Sequence, residues 1–102
     1  RQDIQFMPAV TRKGDTCTGH GCYPPRNSTS GSSNVFVNSI SVHRQGDNWA
    51  LHSCPPAPPH GSVLGSGSST VYVNGKQCGR ITDPVACGSS VATGSGNVYA
   101  GG

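Results

Sequence analysis

The sequence contains no glutamate, and its 102 residues include only four acidic ones. Hydrophobic residues without glycine make up 32%, and charged residues make up 11%, whereas soluble domains average about 25% charged residues. No apolar run approaches the roughly 18 residues of a membrane-spanning helix, and no charged-then-apolar segment marks a secretory signal. The chain is therefore too poor in apolar residues for a conventional core. Its fold needs a metal, disulfides, a partner or a repeated backbone architecture.

Helix-forming patterns are also missing. Gly (15 residues) and Pro (8 residues) interrupt nearly every window, and no stretch keeps an apolar period of 3.6 residues over a usable length. Short runs of β-branched and aromatic residues, bounded by Gly, Ser and Asn, are present instead. The composition predicts an all-β fold.

The net charge of +3 does not form a basic patch. In three places an arginine precedes an aspartate by three positions: Arg12 and Asp15, Arg44 and Asp47, Arg80 and Asp83. The remaining cations are scattered along the chain: Arg1, Lys13, Arg26 and Lys76. Phosphate neutralisation requires clustered cations, so we expect no nucleic-acid partner. The repeated pairs are interpreted as locks for three similar turns.

The three pairs belong to a longer repeat. Residues 31–47 and 67–83 share one order, in which Gly-Ser-Ser leads to Val-aromatic-Val-Asn and then to Arg-x-x-Asp. A third copy is divided between residues 94–100 and residues 8–15. Asn74-Gly75 is a strong hairpin-turn dipeptide. A repeat divided between the two ends predicts three β-hairpins around a pseudo-threefold axis, closed by the termini, which also removes exposed sheet edges.

At these residues the sequence resembles the PAAR-repeat family, whose members sharpen the spikes of contractile injection machines. The name-giving Pro-Ala-Ala-Arg tetrad before Gly-Asp is matched in part by residues 8–15 and 41–47. The resemblance implies a small, conical, pseudo-threefold domain with a metal at its apex. It covers residues 7–102, which we interpret as a single PAAR-repeat domain. Residues 1–6 lack a repeat counterpart and are interpreted as a leader or a remnant of cloning.

Potential metal ligands follow each aspartate. His20 and His52 lie five residues past theirs, and Cys87 lies four past its own. Equivalent loops converge near a threefold axis, and a rigid proline run at residues 55–59 could return His60 to the same point. Three His and one Cys suit tetrahedral zinc, with iron as the alternative. Members of the resembled family hold their apical metal with this same ligand set.

Several cysteine and histidine assignments stay open. Cys17 or Cys54 could replace one of the ligands. Cys17–Cys22 and Cys22–Cys54 are the closest possible disulfides, but connectivity does not follow from sequence. We interpret His43, on a strand, as a surface or packing residue. Cys78, on the equivalent strand of the next repeat, is interpreted as small apolar filling.

The sequence predicts a protein without catalytic residues. It has no glutamate to act as a general base, and a site with four protein ligands leaves no open position for catalysis. The repeat extends to Gly102, which leaves no room for a fused effector in this sequence. That shortness favours a phage tail tip, although a type VI secretion machine remains open.

The resemblance implies one principal partner, a trimeric β-helical spike protein of the phage-tail or VgrG-like kind, bound at one chain per trimer. The sequence does not identify the residues that bind it. A target cell membrane would be contacted transiently, and no small-molecule substrate is expected. The location would be a virion tail tip or an extracellular injection apparatus. The alternative function is a disulfide-stabilised, secreted, adhesin-like binding module.

Overall fold

The computed structural model describes residues 7–101, so the predicted leader at residues 1–6 lies outside the described residues. Residues 7–101 contain no helix, and hence none long and apolar enough to cross a membrane. The strands pair into three antiparallel two-stranded sheets, β1 with β2, β3 with β4, and β5 with β6. Their bounds are Phe36–Val37 (β1), Ile40–Ser41 (β2), Asn48–Cys54 (β3), Ala57–Val63 (β4), Tyr72–Val73 (β5) and Lys76–Gln77 (β6). The prediction of an all-β fold is confirmed.

Two of the predicted hairpins turn where the sequence indicated. Asn38 and Ser39 have φ of 55° and 65°, and Asn74 and Gly75 have φ of 55° and 78°. Two consecutive left-handed residues are typical of the type I′ turn, whose twist suits a two-residue hairpin loop. The Asn-Ser turn therefore has the same geometry as the Asn-Gly turn.

The third hairpin is assembled from the two ends of the described chain. The Val10 amide donates to the Val98 carbonyl at 2.9 Å, and the Ala100 amide donates to the Pro8 carbonyl at 3.1 Å. Ala9 lies directly opposite Tyr99 in an antiparallel bridge. The predicted closure of the split repeat is confirmed.

A cyclic set of backbone hydrogen bonds lies at the centre of the three repeats. The Thr11 amide donates to Gly79 at 3.0 Å, the Gly79 amide to His43 at 2.9 Å, and the His43 amide to Thr11 at 3.1 Å. We call these three residues the axial ring. His43 is fully buried, its Nδ1 lies 2.8 Å from the Ser30 carbonyl oxygen, and its ring packs edge-on against Trp49. Of the two roles considered for His43, packing is correct and surface exposure is wrong.

The Arg-x-x-Asp pairs lock their own turns and hold the next repeat as well. In each pair the arginine amide donates to the aspartate carboxylate at 2.8 Å, and Nε donates to the same oxygen at 2.8–3.0 Å. Each arginine Nη1 then reaches the following hairpin at 2.9–3.0 Å, through Arg12 to Asn38, Arg44 to Asn74, and Arg80 to the Gly101 carbonyl. The three contacts form a closed cycle. The asparagine that ends each Val-aromatic-Val run is thus also a contact between repeats.

The apolar core is divided into two clusters. The hairpin cluster contains Val10, Val42, Val73, Cys78 and Ala100. The apical cluster contains Cys17, Trp49, Leu64, Val85 and Val91. Cys78 is 2% exposed, in agreement with its interpretation as core filling. The axial ring lies between the clusters, since its three residues each follow a member of the hairpin cluster while His43 contacts Trp49.

The proline-rich segment differs from its predicted form. The sequence predicts a rigid proline stretch in a long loop at residues 55–59, but β3 and β4 form a hairpin whose turn contains a cis Pro55–Pro56 bond. Register shifts interrupt the pairing between Trp49 and His52 and between His52 and Cys54. Irregular pairing tolerates proline because it leaves ladder positions where no amide donor is needed. The expected return of His60 occurs through strand pairing.

Candidate metal centre

Three separate segments position the predicted ligands. His20 begins a tight turn in which His20 and Tyr23 exchange backbone hydrogen bonds of 2.8 and 3.0 Å. His52 on β3 and His60 on β4 are direct cross-strand partners. Cys87 lies in a turn closed by the Gly88 amide, which donates to Val85 at 2.9 Å. The ligand set therefore depends on the hairpin and on two turns from other repeats.

The structure brings all four predicted ligands together. One ring nitrogen from each of His20, His52 and His60 and the Sγ of Cys87 lie within 4.8 Å of one another. The His60 Nε2 is 2.6 Å from that of His52 and 3.1 Å from that of His20. Zinc binds imidazole nitrogen at about 2.0–2.1 Å and thiolate sulfur at about 2.3 Å. Donor atoms around one tetrahedral zinc ion therefore lie as close to one another as the atoms of this group do. The group could hold a metal ion.

One hydrogen bond and the local charge bear on how two of the imidazoles face the group. The His52 Nδ1 lies 2.9 Å from the Pro24 carbonyl oxygen. Because a carbonyl only accepts, Nδ1 of His52 carries a proton, and Nε2 is the nitrogen that faces the group. Loss of solvation, followed by the neighbouring His52 and His20, lowers the pKa of His60. Neutral imidazole is the form that binds metal.

Tyr23 is part of the site, although the sequence interpretation missed it. Its ring centroid lies 4.2 Å from that of His60, 4.8 Å from that of His52 and 4.9 Å from that of His20. Its hydroxyl donates to the Pro58 carbonyl at 3.2 Å. Tyr23 thus packs against three imidazoles and ties its turn to β4. In the sequence, the only indication that Tyr23 joins the site is its position three residues after His20.

A disulfide supports two of the histidine segments. Cys22 and Cys54 are bonded, with their Cα atoms 5.6 Å apart. Each follows a histidine of the group by two residues, so the bond ties the His20 turn to the end of β3. Cys54 is consequently not free to act as a ligand, and Cys17 lies outside the group of four. Of the two disulfides considered from sequence, the structure contains Cys22–Cys54.

The two fully buried free cysteines have different electrostatic environments. Burial raises the pKa of Cys78 to about 11. Burial also raises the pKa of Cys17, but hydrogen bonds from Ser89 and from the backbone of Arg26 more than offset this effect, so the net pKa is lowered. Cys78 is therefore an inert core residue, whereas polar groups surround Cys17.

The cysteine arrangement predicts a specific thiol count. Protein unfolded in denaturant and chelator without reductant should show three titratable thiols, from Cys17, Cys78 and Cys87. After reduction the count should rise to five. A thiol-reactive chromophore measures both values. At most one free thiol before reduction would contradict the structure and support the disulfide-rich binding module.

Comparison with known proteins connects this geometry to a family. The PAAR motif matches residues 18–93, which is most of the chain. The chain belongs to the PAAR-motif family. The resemblance inferred from the hairpin repeat and the Arg-x-x-Asp elements is thereby confirmed.

Two curated relatives of this PAAR-motif chain come from Pseudomonas aeruginosa. They are the NAD(P)(+) glycohydrolase toxin Tse6 of strain PAO1 and the (p)ppApp synthetase toxin Tas1 of strain UCBPP-PA14. Each is 38% identical over 78 residues, which cover 71% of this chain and 18% of the relative. The chain thus spans less than a fifth of the length of either toxin.

Proposed function

We propose that residues 7–102 form a single, non-enzymatic PAAR-repeat domain that caps the trimeric β-helical spike of a contractile injection machine. The closed pseudo-threefold ring carries this proposal. One chain presents three equivalent hairpins around one axis, and a trimeric partner presents three identical subunits around its own axis. Matching symmetry lets each hairpin meet an equivalent surface of a different subunit.

The hairpin end has a surface suited to such a partner. Phe36, Tyr72 and Tyr99 occupy the same position in the three repeats and are 55%, 55% and 52% exposed. The residues that flank Phe36 pack against the hairpin cluster, so the aromatic ring points away from it. Exposed aromatic side chains are the residue type most often found at energetic centres of protein interfaces. Three equivalent ones favour a threefold partner.

At the opposite end of the axis, His20, His52, His60 and Cys87 are proposed to bind one structural zinc ion, with iron as the alternative. The donor set and the hydrogen-bonded orientation of His52 support this assignment. A bound metal joins three segments that lack a large core beneath them. When loaded, the ion supplies a closed, rigid coordination centre, which suits a tip that crosses a target membrane transiently.

The names of the relatives favour a bacterial secretion machine of the type VI kind over a virion tail, because both are bacterial toxins by name. The proposed location is accordingly an extracellular or secreted injection apparatus, with a VgrG-like spike as the partner. The enzymatic activities in those names are not assigned to this chain, which covers 18% of each toxin.

The docking proposal predicts one bound chain per spike trimer. Analytical ultracentrifugation of the full chain mixed with a purified VgrG-like trimer should give this stoichiometry. Replacing Phe36, Tyr72 and Tyr99 together by alanine should weaken binding about 100-fold or more, because truncated interface aromatics commonly cost at least 1 kcal/mol each. The variant should keep its metal.

Leu51 provides a matched control for docking. It is an equally apolar and more exposed residue, 70% exposed, on β3 beside the metal group. Leu51→Ala should bind the trimer like the unmodified chain. Absence of any complex, binding of several chains per trimer, or a stronger effect from Leu51 than from the aromatic triple variant would refute the proposed docking end.

A further inference from the structure

Within residues 7–101, Arg26 is a buried cation without a carboxylate partner. It is 6% exposed, and among residues 7–101 the ion pairs engage Arg12, Arg44 and Arg80 with the three aspartates of the repeats. A guanidinium group keeps its proton at any ordinary pH, and a buried charge needs strong acceptors to offset its lost hydration.

Two of the acceptors of Arg26 are sulfur atoms. Nη1 donates to the Cys17 sulfur at 3.0 Å, and Nη2 donates to the Cys87 sulfur at 3.3 Å. Nε donates to the Ala50 carbonyl at 2.6 Å, and the guanidinium carbon lies 5.7 Å from the ring centroid of Trp49. The guanidinium group of Arg26 is therefore held by three hydrogen bonds and by the Trp49 ring next to one of its faces. One arm points at a sulfur of the candidate metal group.

We propose that Arg26 is a positioning residue of the metal centre, which orients the Cys87 sulfur through an N–H···S hydrogen bond and moderates its electron donation to the ion. This inference rests on the proposed function of the His20, His52, His60 and Cys87 group. Cys17 is the second acceptor that holds the guanidinium in place. Arg26 itself is not a ligand, because it has no lone pair to offer.

The chemistry of metal-bound thiolates explains why this contact matters. A cysteine that binds metal is deprotonated, and its sulfur then accepts a charge-assisted hydrogen bond, which is stronger than a bond to a neutral thiol. The hydrogen bond lowers the energy of the sulfur lone pairs. Groups of this kind around metal ligands commonly change metal affinity by about 10–100-fold. Lysine offers a point charge without the planar fork and cannot reproduce both sulfur contacts.

Cobalt loading of the full chain provides a test that reports on the sulfur itself. Cobalt bound to thiolate shows a sulfur-to-cobalt charge-transfer band. In Arg26→Gln the band should move to longer wavelength, because the sulfur electrons rise in energy without the donor. The cobalt dissociation constant should rise about 10–100-fold. A purely packing role for Arg26 would leave the wavelength of the metal-loaded protein unchanged.

Cys78→Ala serves as the control, because it changes a buried free cysteine in the hairpin cluster, away from the metal group. Its band should stay at the original wavelength. A band of unchanged wavelength in Arg26→Gln would overturn the inference and leave the metal proposal standing. Absence of a thiolate band in the unmodified chain would instead refute Cys87 as a ligand, and the role of Arg26 with it.

NMR of the unmodified zinc-loaded chain covers the case in which Arg26→Gln does not fold. The Nη protons of Arg26 should give separate, slowly exchanging signals, as expected for a guanidinium group fixed by hydrogen bonds. A single averaged signal in fast exchange with water would overturn the inference.

Discussion

Replacing Cys87 by alanine is expected to abolish binding of the proposed metal ion and to cause a large loss of stability. Structural zinc contributes about 10–16 kcal/mol in small metal-dependent peptides. Part of this site is prearranged by the hairpin and by Cys22–Cys54, so we expect a loss of about 5 kcal/mol or more. Metal content by mass spectrometry and thermal unfolding by circular dichroism measure the two effects.

Cys78→Ala is the matched control for this prediction. Cys78 is also a free cysteine, but it lies in the hairpin cluster away from the metal group. The variant should keep one metal ion per chain and lose only the stability expected for a small core truncation. Chelation of the unmodified protein should reproduce the unfolding temperature of Cys87→Ala. Full stability of Cys87→Ala, or unchanged metal content, would contradict the assignment.

Substituting Gly79 by alanine is expected to destabilise the fold by about 3 kcal/mol, because the axial ring has no room for a side chain. A Cβ at this position would lie 2.8 Å from the His43 carbonyl oxygen, 2.8 Å from a Leu64 methyl and 2.9 Å from the Thr11 methyl. Two of these neighbours belong to the ring itself, so relief of the clash requires movement of its hydrogen bonds. Chemical denaturation measures the loss.

Gly96→Ala separates this steric effect from the general consequence of replacing glycine. No atom lies within 4 Å of the position that a Cβ would take at Gly96, and its φ is not in the left-handed region. Alanine there restricts the unfolded chain without a clash, so stability should stay the same or rise by about 0.4–1 kcal/mol. Equal effects from the two substitutions would show that crowding at the axis is not the cause.

The sequence predicts those parts of the fold that repeat. The hairpins, their Asn-centred turns and the closure between residues 8–10 and 98–100 follow from similarity between copies, since equivalent residues must meet equivalent surroundings. The first residue of each repeat is glycine for a steric reason that the copies share. A Cβ at Gly31 would lie 2.7 Å from the Val42 carbonyl oxygen, and one at Gly94 would lie 2.7 Å from that of Val10.

The sequence predicts less well the parts that occur only once. The β3–β4 hairpin is longer than the equivalent returns in the other repeats, where Thr16 pairs with Asn27 and Pro84 pairs with Ser90. Its proline run hid the strand pairing that places His60 opposite His52. Arg26 was counted among the scattered cations, because nothing local to it indicates two distant sulfur acceptors. Their sequence separations of 9 and 61 residues show that only the closed fold brings them together.

The cycle of arginine contacts has a mechanical consequence. Each lock joins its own turn to the following hairpin. The last contact, from Arg80, reaches the third hairpin, whose other strand leads into Arg12 of the first lock, so the set has no free end. A load along the pseudo-threefold axis would therefore be shared among the three locks. Because the contacts form a closed cycle, a shift of one hairpin also disturbs the lock that leads to the next one.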